Sequence, residues 1–338
     1  MPAVLSNPPL IRLVLALLLP VVVAVAGCAP HWVPAGPAIS QSRQETDAFV
    51  MPDGTKLPYR AWIPEREEPP WAVVLALHGM NDSRDAWEDP APAFADAGIL
   101  FIAPDQRGFG ATAQRGFWPG AAALAEDATE MARVLRARYP RAKLVLMGES
   151  MGAAVLLLTA TRATPPPADA YVYLAPAIWG RAEMNVFVRS SLYLTANLVP
   201  GLTVTGRTVG RVASDNREAL IRLSRNRLTI RETRVDAIAG VVDLMDAARP
   251  AAAQVTVPAL FLHGGKDEII PPEAMRKVWR SLPPSARLAH YPTGYHLLLR
   301  DRDRARRTAD ILAWLRRPDQ PLPSGADTAA AAFLSPVQ

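Results

Sequence analysis

Short runs of apolar residues alternate with amphipathic segments along most of the chain. The runs have the length of strands and are nearly continuous, which is typical of strands buried on both faces of a parallel sheet. They begin at residues 71 (WAVVLALHG), 98 (GILFIAPD), 143 (KLVLMG), 170 (AYVYLAPA), 258 (PALFLHGGKD) and 287 (RLAHYPTG). Helical patterns such as AALAEDATEMARVLRARYP and PPEAMRKVWRSL lie between them. The alternation predicts an α/β fold with a mostly parallel sheet flanked by helices.

Two departures from this alternation refine the predicted fold. Residues 48–63 place Asp53-Gly54 between two strand-like arms, which predicts a β-hairpin at the start of the domain. Residues 177–250 contain no strand run of the same kind and show helical, arginine-rich and aliphatic segments instead. An unstructured loop of that length is improbable inside a compact domain, so we expect an inserted helical cap there. The domain with its cap is predicted to span residues 46–317.

The chain outside this domain has a different composition. Residues 13–26 form an apolar run behind Arg12 that is short and interrupted by Pro20, which is typical of a signal peptide. Residues 28–45 and 318–338 are rich in small and polar residues and proline, without apolar periodicity. We therefore expect a signal peptide over 1–27, a tether over 28–45 and a disordered tail over 318–338.

The residues at the end of the apolar run carry a further signal. Val25, Ala26 and Gly27 precede Cys28 and resemble the lipobox of bacterial lipoproteins, in which the cysteine thiol carries a diacylglyceryl group. Cys28 is the only cysteine, so an internal disulfide is excluded. The resemblance implies a lipoprotein of the bacterial cell envelope, anchored in a membrane through Cys28 and facing outside the cytoplasm.

Composition and charge exclude other classes of protein. The 338 residues are 50% hydrophobic, enough for a large core, and the net charge of +5 comes from scattered arginines rather than dense basic runs. Nucleic acid is therefore not an expected partner. The histidines are dispersed, so no zinc site is predicted. Gly108, Gly110 and Ala113 imitate a dinucleotide fingerprint, but no helix opens directly from the second glycine, and no cofactor is expected.

A serine at the junction of a strand run and a helix run is the main candidate for chemistry. Residues 148–152, GESMG, match the pattern G-x-S-x-G, in which the glycines permit a sharp strand-to-helix turn that exposes the hydroxyl of Ser150. A serine hydroxyl is a weak nucleophile unless a base takes its proton. Among the five histidines, His296 lies on a loop after the last strand run, which makes it the natural base.

The base needs a carboxylate to orient it, and the loop after the preceding strand run contains a candidate. Asp267 follows Gly264 and Gly265 and is the favoured residue, with Glu268 as its immediate rival. An oxyanion intermediate also needs two backbone N–H donors. We expect one from Met151, which follows the serine, and one from Met80 in the loop LHGMNDS.

Residues 46–317 resemble the α/β-hydrolases of the monoacylglycerol lipase and lysophospholipase group, also classed with serine aminopeptidase-like hydrolases. The segments that carry the resemblance are LHGMNDS, PDQRGFGAT, GESMG, HGGKDEIIPP and GYHLLLRD. The resemblance implies the α/β-hydrolase fold, Ser150 as nucleophile, Asp267 and His296 as its relay, and Met80 with Met151 as oxyanion donors.

The predicted function is ester hydrolysis of a monoacyl lipid through an acyl-enzyme. The cap offers an apolar set for the acyl chain: Trp179, Phe187, Leu192, Tyr193, Leu194, Leu198 and Leu202. A peptidase or an acyltransferase on the same fold is an alternative, and so is a non-catalytic lipid-binding lipoprotein. The presence of all three triad residues argues against the last.

Overall fold

The computed structural model describes residues 29–205 and 210–335. Cys28 and the predicted signal peptide lie outside these residues. The strands are β1 Arg43–Gln44, β2 Ala48–Val50, β3 Lys56–Trp62, β4 Ala72–Leu77, β5 Ile99–Pro104, β6 Lys143–Glu149, β7 Ala170–Leu174, β8 Thr203–Thr205, β9 Glu232–Arg234, β10 Ala259–Gly264 and β11 Ala286–Tyr291. The helices are α1 Ala91–Asp96, α2 Ala121–Arg138, α3 Met151–Ala160, α4 Val186–Leu198, α5 Arg217–Arg225, α6 Val235–Ala252, α7 Pro272–Trp279, α8 Arg304–Arg316 and α9 Ala326–Leu334.

The central sheet has the strand order β1-β2-β3-β5-β4-β6-β7-β10-β11. From β5 to β11 all neighbours pair in parallel, whereas β1, β2 and β3 pair antiparallel, with β3 antiparallel to β5. The β2–β3 pair is the hairpin expected around Asp53-Gly54. Each predicted strand run forms a strand of this sheet, and the parallel part aligns the carboxyl ends of β4, β6, β7, β10 and β11 along one edge.

Apolar residues of the strands alternate between two helical layers. Along β4, Val73, Leu75 and Leu77 join the core beneath α2, α3, α6 and α7, whereas Ala72, Val74 and Ala76 join the core beneath α1 and α8. Burial on both faces explains why these strands are continuous apolar runs in the sequence. Helices therefore cover both faces of the sheet that carries the candidate site and hold it in place.

The inserted segment after β7 is smaller than the sequence predicts. It contains α4, α5 and the two-stranded sheet of β8 and β9. Helix α6, which we expected in the cap, packs against α3 and α2 of the main layer instead. Gly240 makes this close approach possible, because a Cβ there would lie 2.3 Å from the Trp118 ring. The cap therefore ends where α6 begins.

Both expected linkers contain ordered structure. In the predicted tether, β1 pairs with β2, and Trp32 bridges Trp118. In the predicted disordered tail, α9 packs against β11, and Phe333 stacks on His290 with ring centroids 4.3 Å apart. The expectation of disorder over 318–338 is wrong for α9, because packing against the edge of the sheet stabilises an alanine-rich segment that carries little apolar pattern of its own.

Candidate active site

Ser150 lies on the sharp turn between β6 and α3. Its backbone has φ 53° and ψ −113°, a conformation that non-glycine residues adopt only where surrounding contacts impose it. The glycines on either side allow the turn, because a Cβ at Gly148 would lie 2.6 Å from the Ala153 nitrogen and one at Gly152 would lie 2.2 Å from the Leu77 oxygen. A hydrogen bond to β7 stabilises the turn, because the Ser150 N–H donates to the Leu174 carbonyl at 2.9 Å.

Asp267 and His296 lie at the same edge of the sheet, after β10 and β11. His296 Nδ1 is 2.8 Å from Asp267 Oδ2. The other carboxylate oxygen, Oδ1, accepts from the N–H groups of Ile269 and Ile270 at 2.8 and 2.9 Å. Both oxygens therefore have partners, and the carboxylate orientation is fixed. Because an ionised carboxylate only accepts, Nδ1 of His296 carries the proton and Nε2 keeps its lone pair.

The rival carboxylate, Glu268, lies elsewhere. Its side chain is exposed, and its Oε2 accepts from the Val212 N–H at 2.8 Å. Asp267 can reach the histidine loop because Gly264 and Gly265 approach the 292–295 backbone closely. A Cβ at Gly264 would lie 2.4 Å from the Gly294 oxygen. The structure therefore brings Asp267, and not Glu268, to His296.

Burial and charge act in opposite directions on this pair. Burial alone would lower the pKa of His296, but the carboxylates of Asp267 and Glu149 outweigh it, so the pKa lies above its usual value. Burial alone would raise the pKa of Asp267, but His296 and the Ile270 N–H outweigh it, so the pKa is lowered. The pair thus favours an ionised aspartate that stabilises a protonated imidazole.

The loop after β4 lies directly beside the serine. A Cβ built on Gly79 would lie 3.5 Å from Ser150 Cβ. Within the described residues, the N–H groups of Met80 and Met151 donate no hydrogen bond to the protein, and Met151 is the first residue of α3. Both N–H groups are therefore free to bind an oxyanion, and that of Met151 is one of the first N–H groups of a helix, which have no partner within the helix.

His78, the residue directly after β4, fixes this loop. Its Nδ1 is 2.7 Å from the Gly79 oxygen, and its Nε2 accepts from the Gln106 N–H at 3.0 Å. The Gln106 side chain returns a bond to the His78 carbonyl at 2.7 Å. Burial lowers the pKa of His78, so the imidazole is neutral and serves as a rigid support.

A buried arginine joins three segments of the site, and sequence reasoning did not find it. Arg300 lies four residues after His296 and forms ion pairs with Asp82 of the Met80 loop and with Glu149, which precedes Ser150. All three side chains are buried. The sequence shows these charges separately, but they are up to 218 residues apart, so no local pattern reveals that they meet.

The histidine loop is also fixed through Asp301. Its carboxylate accepts from Ser214 Oγ at 2.7 Å and from the Tyr295 N–H at 2.9 Å, and it pairs with the buried Arg307 at 2.9 Å. The chain is therefore held on both sides of His296. Before it, the Tyr295 N–H donates to Asp301, and after it, Arg300 pairs with Asp82 and Glu149. These contacts keep the His296 loop in a fixed position.

The apolar set expected to bind an acyl chain is mostly exposed. Phe187, Tyr193, Leu194, Leu198 and Leu202 each expose half or more of their surface. Of the seven residues, Trp179 alone packs against the main core as a partly buried side chain. The sequence correctly identified the cap as apolar, but it could not show that α4 turns this surface away from the protein.

The described part of the chain contains neither a metal-binding cluster nor a membrane-spanning helix. Over 29–205 and 210–335, His, Cys, Asp and Glu residues form no group of three or more that could hold a metal ion. Over the same residues no helix has the length and hydropathy needed to cross a bilayer. The predicted lipid attachment residue, Cys28, lies outside them.

Comparisons with known proteins agree with this architecture. The family described as serine aminopeptidase, S33, matches residues 68–303. The monoacylglycerol lipase of Mycolicibacterium smegmatis is 24% identical over 280 residues, which cover 82% of this chain and 98% of that protein. The monoglyceride lipase of Rattus norvegicus is 24% identical over 268 residues, covering 75% of this chain and 84% of that protein.

Solved structures show the same fold at lower identity. A soluble variant of the monoglyceride lipase from Saccharomyces cerevisiae, in complex with a substrate analogue, has a TM-score of 0.68 at 18% identity and covers 85% of this chain and 97% of its own. The Paleococcus ferrophilus monoacylglycerol lipase has a TM-score of 0.64 at 20% identity and covers 77% of this chain and 98% of its own. The predicted α/β-hydrolase fold is thereby confirmed.

The sheet, the strained serine turn and these comparisons define the class of protein: an enzyme, a serine hydrolase of the α/β-hydrolase fold. The family match covers more than half of the chain. The chain belongs to the serine aminopeptidase, S33, family of hydrolases.

Proposed function

We propose that this protein hydrolyses esters of monoacyl lipids with Ser150 as nucleophile, His296 as general base and Asp267 as the carboxylate that orients it. One observation carries the proposal. The 2.8 Å contact from Asp267 to Nδ1 leaves the Nε2 lone pair of His296 available at the sheet edge that also carries the strained turn of Ser150. This is the arrangement that activates a serine hydroxyl.

The proposed reaction has two halves. Ser150 Oγ attacks the ester carbonyl carbon while His296 Nε2 takes the hydroxyl proton, and the tetrahedral intermediate then expels the alcohol, which leaves with that proton. A water molecule next attacks the acyl-enzyme, again losing a proton to His296. The fatty acid leaves, and the proton returns to Ser150. The carboxylate of Asp267 stays ionised throughout and stabilises the imidazolium.

The oxyanion of each tetrahedral intermediate would bind to the N–H groups of Met80 and Met151. Their lack of other partners within the described residues supports this role. Met151 adds the partial positive charge at the N-terminus of α3. His78 and Gln106 would keep the Met80 loop in place, so the donors need little reorganisation as charge develops.

A monoacyl glycerol is the substrate class that the relatives support best. The named relatives from Mycolicibacterium smegmatis and Rattus norvegicus are monoacylglycerol and monoglyceride lipases. The lysophospholipids share the same single acyl ester. Peptide hydrolysis, which the family description mentions, and acyl transfer would use the same nucleophile, so they are alternative outcomes of the assay below.

The proposed location is the bacterial cell envelope. A diacylglyceryl group on the Cys28 thiol, with Cys28 as the first residue after removal of residues 1–27, would tether the enzyme to a membrane, where monoacyl lipids partition. A Cys28→Ala variant is expected to leave the membrane fraction on washing without detergent. Unchanged retention in that fraction would contradict acylation at Cys28.

Labelling with a fluorophosphonate probe tests the nucleophile. The wild-type enzyme is expected to be labelled and the Ser150→Ala variant is not, whereas Ser191→Ala, which changes an exposed serine of the cap, should label normally. Turnover of 2-acylglycerol, lysophospholipid and aminoacyl amide by the same three proteins then tests the substrate. Label on Ser150→Ala would refute the nucleophile, and faster turnover of the amide would refute the ester substrate.

A further inference from the structure

Met80, the proposed oxyanion donor, lies in a tight turn over residues 79–82. The Asp82 N–H donates to the Gly79 carbonyl at 3.3 Å across the turn, so Met80 and Asn81 are its two central residues. Asn81 has a positive φ of 64°, which Met80 does not share. A turn with positive φ at the second central residue alone is of type II, and this position favours glycine or asparagine. The turn that presents the Met80 N–H therefore depends on the conformation of Asn81.

The cap binds both the side chain and the backbone of Asn81. Asn81 Nδ2 donates to Thr233 Oγ1 at 2.7 Å, across 152 positions of the sequence. The Asn81 carbonyl accepts from the Ile230 N–H at 2.8 Å. Thr233 is the central residue of β9 and is buried. Distant residues of the cap therefore hold Asn81 in its left-handed conformation, which few residues other than glycine adopt without such contacts.

Two further contacts fix this part of the cap to the segment that follows the turn. Asn226 Nδ2 donates to Asp85 Oδ2 at 2.8 Å. The guanidinium of Arg222, on α5, pairs with the Asp89 carboxylate at 2.6 Å. Residues 222–233 of the cap therefore run alongside residues 81–89 of the body, and the two segments are joined at both ends.

The body holds the turn before and after Asn81. His78 is hydrogen-bonded to Gln106 ahead of the turn, and the Asp82 carboxylate at its end pairs with Arg300. The carbonyl and the side chain of Asn81 bond to the cap instead. The body thus fixes the two ends of the turn, and the cap fixes its corner.

We propose that Asn81 is a positioning residue for the Met80 oxyanion donor, and that its hydrogen bond to Thr233 maintains this position. The role rests on the proposed function, because the oxyanion forms only in that reaction. As Ser150 Oγ adds to the ester carbonyl carbon and its proton passes to His296, the carbonyl π electrons move to the oxygen, and the negative charge must meet a correctly oriented N–H. A small displacement of such a donor slows the reaction greatly. The cap thereby influences the chemical step in addition to any contact that it makes with the substrate.

Substitutions of Thr233 test the proposal. Thr233→Val removes the hydroxyl but keeps a β-branched side chain on β9. Thr233→Ser keeps the hydroxyl and is the conservative variant. Thr203→Val is the matched control, because Thr203 is an exposed threonine of β8, the other strand of the same small sheet. Each variant of the full chain is assayed with a soluble short-chain p-nitrophenyl ester, which has no long acyl chain for the cap to bind, and its melting temperature is measured.

Thr233→Val is expected to lower kcat/KM about tenfold, which is less than the effect of deleting an oxyanion donor outright. Thr233→Ser and Thr203→Val are expected to stay within about twofold of the parent. Inhibition by a short-chain trifluoromethyl ketone gives a second measurement, because its adduct with Ser150 carries an oxyanion. Its inhibition constant should rise for Thr233→Val by about the same factor as kcat/KM falls. A purely structural role of the bond would lower the melting temperature without this parallel change.

Asn81→Gly removes the other partner of the hydrogen bond while still permitting the left-handed conformation. It is expected to lower kcat/KM by a similar factor, about tenfold. The double variant, Asn81→Gly with Thr233→Val, should be no less active than either single variant, since both substitutions remove one bond. Should Thr233→Val fail to fold, Asn81→Gly alone measures the loss of that bond.

Three results would overturn this role while leaving the proposed function intact. Unchanged kcat/KM in Thr233→Val or Asn81→Gly would show that the bond only stabilises the cap. An equal loss in Thr203→Val would show that the small sheet as a whole, rather than this bond, affects activity. Losses that multiply in the double variant would show that the two residues act separately. Ester turnover by Ser150→Ala, or none by the parent, would instead refute the proposed function and this role with it.

Discussion

Arg300 and Glu149 connect the loop of His296 to the turn of Ser150. The guanidinium of Arg300 lies 3.2 Å from Glu149 Oε1 and also pairs with Asp82, and all three side chains are buried. The single positive charge of Arg300 thus offsets part of the negative charge of two buried carboxylates. The ion pairs thus tie together the segments that carry the proposed base, nucleophile and oxyanion donor.

Removing the arginine should destabilise the protein strongly. Arg300→Met leaves two buried carboxylates without a cation and is expected to lower the free energy of unfolding by about 3–5 kcal/mol. Arg302→Met, at an exposed position two residues away, should change it by less than about 0.5 kcal/mol. Urea denaturation measures both values. Equal effects of the two variants would mean that the buried pairs contribute nothing specific.

Glu149 should control the pH dependence of hydrolysis. The proposed base, His296, can accept a proton only when it is neutral, and its pKa lies above its usual value because the charges of Asp267 and Glu149 outweigh the effect of burial. Activity should therefore fall on the acid side through a pKa above about 6.5. Glu149→Gln removes one negative charge, so the acid limb of kcat/KM should move to lower pH. A limb that stays in place or moves to higher pH would argue against this electrostatic role.

Loss of the Asp267 carboxylate should reduce kcat far more than loss of the neighbouring Glu268 carboxylate. Asp267→Asn keeps the shape of the side chain but cannot hold the imidazolium, and kcat is expected to fall on the order of 10³–10⁴-fold. Glu268→Gln changes an exposed residue and should leave kcat within about twofold. Steady-state kinetics on a soluble ester compares them. Comparable losses would show that the acid is wrongly assigned.

The second glycine of the serine turn should not accept a side chain. In Gly152→Ala the new Cβ would lie 2.2 Å from the Leu77 oxygen and 2.7 Å from the His78 oxygen, both in the backbone. We expect a loss of at least about 1–3 kcal/mol in the free energy of unfolding, together with loss of activity. Gly36→Ala, where the nearest atom would be Asp53 Cβ at 3.5 Å, is the matched control and should be close to neutral.

Two buried histidines beneath α9 should make the fold sensitive to acid. Burial lowers the pKa values of His263 and His290 to about 4, and their rings stack 5.6 Å apart. In the unfolded chain the pKa of each histidine is about 6.5. Above that pH both histidines are neutral in the folded and the unfolded chain, so no stability is lost through their titration. Stability should be lost progressively as the pH falls from about 6.5 through 4. His290→Phe should make the fall in melting temperature shallower, and an unchanged slope would exclude His290 as a cause.

The sequence determined the elements whose signals are local. The continuous apolar runs predicted the parallel strands, because a strand covered on both faces needs apolar residues at every position. The G-x-S-x-G pattern at residues 148–152 predicted the turn between β6 and α3, because only glycine fits the close backbone contacts on either side of Ser150. The chain order of Ser150, Asp267 and His296 suggested their roles before any distance was known.

The tertiary structure decided the features that depend on contacts between distant residues. A helical pattern is the same in a cap and in a main layer, so only packing shows that α6 belongs beside α3. The weak patterns of the predicted tether and of α9 gave no sign of order, because their stability comes from Trp118 and β11. The pairing of Arg300 with Asp82 and Glu149, and the outward orientation of Phe187, likewise follow from how the folded chain brings its segments together rather than from any local pattern.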